Sequence, residues 1–144
     1  MATYFQGAVK SGDNFSELPS GVGVGTAVFT QTVTLQAATA ANVDASFLIP
    51  KGARILGFNA DSSVAWTATT ASLTVGQSAG GTEYVTGFDV KTITRGPTAA
   101  YTAAQLGAMD NVGANTTVYV RVASTGANAT GTTKVTIQYT GGSF

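Results

Sequence analysis

The chain has 144 residues, the length of one domain and enough to bury a core without disulfides or a metal. Seven basic and seven acidic side chains cancel to a formal charge of zero, and charged residues make up 10%, against about 25% in a typical soluble domain. That balance excludes the dense basic surface nucleic-acid binding requires, and the lack of His and Cys removes structural zinc, disulfides and most nucleophile–base pairs.

Residues 1–27 carry Gly7, Gly12, Gly21, Gly23, Gly25 and Pro19 with no sustained period, which reads as an extended N-terminal arm. Gly21-Val22-Gly23-Val24-Gly25 fits neither nucleotide-binding glycine pattern, so it is read as a hinge. From Val28 the pattern becomes strands. Val28–Gln36 alternates, with Phe29, Val33 and Leu35 on one face and Thr30, Thr32 and Thr34 on the other. Val43–Ile49 follows and ends at Pro50-Lys51-Gly52, a turn signal. Arg54–Ala60 is expected to set Leu56 and Phe58 on one face, and Ser72–Gly76 to do the same with Leu73 and Val75. Tyr84–Lys91 groups Tyr84, Phe88 and Val90. After Gly96-Pro97, an Ala-rich stretch from Thr98 to Met109 is the one candidate helix, three turns at most. Thr117–Ala123 and Lys134–Thr140 close the series, pointing Val118, Val120, Val122, Val135, Ile137 and Tyr139 inward. Seven to eight short strands with Gly/Ser/Asn-rich turns predict an all-β fold, an antiparallel β-sandwich or jelly roll over residues 28–144. Thr suits it: β-branching favours the pleated backbone, and the hydroxyl wets an outer face without charge.

Catalysis finds little support. Glu83 and Asp89 share parity, but six residues at roughly 3.3 Å each hold them too far apart for paired carboxylates. Asp13 and Glu17 fall in the arm, while Asp61 and Asp110 are expected at turns, bonding their own backbone. Lys51 with Arg54, and Lys91 with Arg95, read as solvated basic pairs. No cofactor or metal site is expected. No apolar run reaches the roughly 18 residues that span a bilayer, and the N-terminus lacks the plan of a signal peptide, so no membrane partner is expected either. Trp66 is open to two readings, an exposed contact or a core plug. A near-neutral surface tends to associate, so burial against other protein is the expected use of this one.

Three stretches carry a family likeness. Ile49-Pro50-Lys51-Gly52-Ala53-Arg54-Ile55 resembles a strand–turn–strand of small structural proteins from tailed bacteriophages. Leu73-Thr74-Val75-Gly76 with Gly81-Thr82-Glu83-Tyr84 is similar to the segment that follows it there. Thr117 to Val122, the Thr125–Gly131 loop and Val135 to Tyr139 are similar to their closing hairpin, so the likeness covers about 28 to 140. The resemblance implies a non-enzymatic virion protein, most like a head decoration or capsid cement protein. Such a protein is made in the host cytoplasm, sits on the phage head surface and clamps neighbouring major capsid subunits, often as a homotrimer helped by a terminal arm. On that basis Tyr4, Phe5, Phe15, Leu18 and Trp66 are the candidate partner contacts. The alternatives are a tail-associated or receptor-binding module contacting host glycan or protein, an enzyme built from converging carboxylates, and a surface-layer or pilus-type subunit.

Overall fold

The computed structural model describes residues 27–38, 42–98, 100–110 and 113–143, with side chains through Gly141. In chain order they form β1 (Val28–Gln36), β2 (Asn42–Ile49), β3 (Lys51–Val64), β4 (Thr70–Gly76), β5 (Val85–Asp89), β6 (Thr94–Pro97), α1 (Ala103–Asp110), β7 (Thr116–Thr125) and β8 (Thr132–Ser143). Two four-stranded antiparallel sheets face one another, ordered β1-β8-β3-β6 and β2-β7-β4-β5. The pairs nest: β1 with β8, β2 with β7, β3 with β6, β4 with β5, as if one long hairpin had been rolled up. The all-β sandwich expected from the alternation is what forms.

Inner faces supply the core. Leu35, Phe47, Ile49, Leu73, Val75, Val118, Val120, Val122, Val135 and Ile137 are all buried, and those of β1, β4, β7 and β8 sit at the parity the alternation assigns. Phe58 of the first sheet meets Tyr84 beside the second, ring centroids 5.8 Å apart. The Pro50-Lys51-Gly52 turn forms: Ala53 N–H donates to the Pro50 carbonyl at 3.2 Å, and Gly52 takes φ of 77°, a backbone glycine adopts without strain.

Strand β3 departs from expectation. It runs 14 residues, not seven, and its register slips between Ile55 and Gly57. The extra residue of this bulge is Leu56, which points outward while Ile55 and Phe58 both point in. Leu56 and Phe58 therefore do not share a face. The bulge aims the Phe58 N–H at Tyr101 Oη, 2.8 Å away, and a Cβ on Gly57 would lie 3.2 Å from that oxygen. The Thr98 N–H donates to the Phe58 carbonyl at 3.1 Å, so Thr98 and Tyr101 are strapped to β3 instead of being helical. Helix α1 starts only at Ala103, where a capping box sets it: Thr102 N–H donates to Gln105 Oε1 at 2.9 Å, and Gln105 N–H to Thr102 Oγ1 at 3.3 Å.

Trp66 lies between β3 and β4, 1% exposed. Its indole N–H donates to Thr133 Oγ1 at 2.9 Å; Thr133 Oγ1 lies 2.8 Å from Ser62 Oγ, which donates to the Val90 carbonyl at 3.3 Å. With the Ser62 proton on Val90, Thr133 donates to Ser62, so each of the two hydroxyls is both donor and acceptor. Gly131 lies against the ring; a Cβ there would come within 2.6 Å of Trp66 Cδ2. Thr133→Val keeps the shape but strands the indole N–H and half of Ser62. Loss of about 2 kcal/mol is expected from those unmade bonds, measured as a lower urea midpoint at unchanged m-value.

Candidate functional site

The described acids are each engaged. Asp44 and Arg121 stand opposite one another on β2 and β7 and bond bidentately, Nε to Oδ1 at 2.6 Å and Nη2 to Oδ2 at 2.8 Å. Asp61 and Arg95 are opposite on β3 and β6, with two donors on Oδ2 at 3.1 and 2.8 Å. Arg54 on β3 reaches Asp110 at the end of α1 at 2.9 Å. Glu83 accepts the Gln77 N–H at 2.9 Å, and Asp89 accepts the Lys91 N–H at 2.8 Å and the Thr92 hydroxyl at 3.1 Å. Asp61 and Asp110 thus bind arginines, not their own turns as expected, because strand register and helix docking bring those arginines alongside. Arg54 and Arg95, expected in solvated basic pairs, serve the same bonds, and Lys91 Nζ donates to the Thr69 carbonyl at 2.7 Å. Hydrogen bonds from Arg121 hold the Asp44 carboxyl below its ordinary value against some desolvation, and the Gln77 N–H does the same for Glu83. Among the described residues no group of three or more acids is placed to hold a metal ion, and no helix is long and apolar enough to cross a membrane.

With few charges, six of them held in ion pairs, exposed apolar side chains are the distinctive surface feature. Two places gather them. At the edge where β1 and β2 approach, Phe29 stacks on Tyr139 with centroids 5.7 Å apart and stays half-exposed. There Gln31 Nε2 donates to the Leu48 carbonyl at 2.9 Å and to Tyr139 Oη at 3.1 Å, while the Leu48 side chain faces solvent. The second place is a groove of about 460 Å³ between β3 and α1. Ile55 and Met109, both buried, lie beneath Leu56 and Leu106, which are 44% and 51% exposed, and the Arg54–Asp110 pair borders it. Ile93, at 68% exposure, stands apart on the β5–β6 turn.

Of the contacts expected from sequence, Tyr4, Phe5, Phe15 and Leu18 lie outside the described residues. Trp66 is the plug of the two readings: at 1% exposure, with its N–H spent on Thr133, it offers no surface to a partner. Sequence does not single out Leu48, Leu56, Leu106 and Ile93 as surface apolar residues. Leu56 is outward only because of the bulge, and Leu106 only because α1 docks by Met109.

No known protein-family pattern matches the sequence, and no curated protein sequence matches it. A chain of the cyanophage Pam1 capsid asymmetric unit shares the fold at a TM-score of 0.60 and 24% identity. The match covers 92% of this chain and 97% of that one.

Because the Asp44 and Glu83 carboxyls sit lower in the folded chain than when free, both favour folding at neutral pH. That contribution is complete above the unfolded carboxyl values, about 4, and is lost as pH falls through the lowered folded ones. The thermal midpoint should be flat from pH 7 to about 5 and drop below about 4. Asp44→Asn should lower the neutral midpoint and flatten the acid drop; an equally steep drop in this variant would assign the acid sensitivity elsewhere.

Proposed function

We propose that this chain is a non-enzymatic structural protein of a phage virion, one that decorates the head and binds neighbouring major capsid subunits as a homotrimer anchored by residues 1–27. The observation that carries this reading is the fold likeness to a chain of a phage capsid asymmetric unit, which spans both chains nearly end to end. The whole domain, not a shared fragment, is alike.

Other features support it. The nested strand pairing supports a jelly-roll reading, an architecture used by viral capsid domains. The centres of protein interfaces are depleted of charge, and this surface ties four of its few charges into cross-strand pairs while leaving Phe29, Leu48, Leu56 and Leu106 exposed. Strands β1, β6, β2 and β5 are sheet edges among the described residues. Closed symmetry, or docking on a capsid, would cover such edges where few charges guard them. The tail or receptor-binding alternative draws on an exposed Trp66, and the buried indole withdraws that support.

Heads and tails separated from virions encoding this chain provide the test. The protein is expected with the head fraction, and alone in solution at the mass of three chains. Deleting residues 1–27 should abolish attachment with the β-sheet circular dichroism unchanged. Recovery only from tails would overturn the decoration reading, and undiminished attachment of the shortened chain would remove the arm as anchor.

A further inference from the structure

We propose that the groove between β3 and α1 receives Ile93 of a second copy of this chain, and that such seatings, running head to tail, close the homotrimer. The ring rests on the trimer of the reading above; the seat rests on the protein's own surface.

Groove and side chain match in kind. Leu56 and Leu106 wall the groove at about half exposure, above the buried Ile55 and Met109. Water held against leucines in a concavity is readily displaced by another apolar group. Ile93, at 68%, is the most exposed large apolar side chain among the described residues, and it sits on the turn between β5 and β6, off the flat face of either sheet. Phe29, by contrast, spends one face on Tyr139, and Leu48 lies along β2. Beside Ile93 a hollow of about 520 Å³, lined by Asp61, Ser63, Thr94 and Arg95, leaves room for the groove rim that carries Leu106.

Charge selects the same partner. Arg54 and Asp110 border the groove at 65% and 64% exposure, with Arg54 Nε on Asp110 Oδ1. Two residues beyond Ile93, Arg95 is 81% exposed and holds Asp61 Oδ2 through Nε and Nη2. Each site therefore sets one guanidinium and one carboxylate beside its apolar centre. On seating, Arg95 meets Asp110 and Arg54 meets Asp61, with no net charge on either side. The whole chain is neutral too, so copies approach without long-range repulsion.

A chain cannot fill its own groove. Thr94 is the register partner of Ser62, which puts Ile93 at the far end of β3 from Leu56, roughly 20 Å away. A groove and a side chain at opposite ends of one strand make a head-to-tail contact, the kind that closes into a ring when its rotation allows. In a ring every copy is held twice, and the last contact forms at high effective concentration, so a small seat suffices.

The chain has no cysteine, so introduced thiols report alone. Gly107 lines the groove, and a Cβ there meets nothing within 4 Å. With Ile93→Cys and Gly107→Cys in one chain, mild oxidation should link copies into a covalent species of three-chain mass without reductant. Either substitution alone should give at least about tenfold less linked product, because its thiol has no seated partner. In the cysteine-free protein, Ile93→Asp, at an exposed position, should lower the mass in solution to one chain with the circular dichroism unchanged. No link between copies, while the unsubstituted protein keeps three-chain mass, would overturn the seat, leave the trimer standing and give the groove to another occupant such as a capsid subunit. A disulfide within one chain would overturn the seat as well. Linked products running past three chains would keep the seat and overturn the ring. Single-chain mass for the unsubstituted protein, with no link formed, would overturn seat and trimer together.

Discussion

The first sheet depends on β8, the last of the described strands. It lies between β1 and β3, pairing with Val28–Gln36 on one side and with most of β3 on the other. Its inward residues Val135 and Ile137 are fully buried, and Thr133 takes the indole proton of Trp66. Remove β8 and the first sheet has no centre, the indole loses its acceptor, and the edge cluster of Phe29 and Gln31 loses Tyr139. The second sheet repeats the plan with β7 between β2 and β4. In both, the centre comes from the end of the sequence and the flanks from earlier parts.

This dependence also explains which parts of the molecule sequence alone can convey. Strands β1, β4, β7 and β8 alternate apolar and polar residues over most of their length, and their inner faces follow directly. Alternation fails at β3 because a bulge adds one residue and inverts the parity after it, which is why the pattern sets Leu56 beside Phe58. Strand β6 is four residues with a Gly-Pro end, too short and too irregular to show a period. The helix is legible but begins later than composition suggests, since its start is set by the Thr102–Gln105 box and by the strap onto Phe58. The groove is invisible for a different reason: its two walls, Leu56 and Leu106, belong to elements brought together only by tertiary packing. Trp66 likewise cannot be placed from its neighbours, because its partner is 67 residues away.

Neutrality is plain from composition, but its arrangement is not. Asp44 with Arg121 and Asp61 with Arg95 are register partners, so each charge is cancelled by the adjacent strand. Exposed pairs of this kind add little stability on their own. Their larger effect is on the surface, where they leave threonines and a few leucines to determine what the protein touches.

The position of β8 also matters during synthesis. A ribosome delivers residues 132–143 after β1–β7, so until then β1 and β3 have no common neighbour and the valine-rich inner faces lie open. Charge repulsion, which keeps many nascent chains apart, is weak in a chain this neutral. The vulnerable species is therefore a nascent polypeptide that has β1–β7 and lacks β8, and holding chaperones have most to do in the interval before β8 inserts.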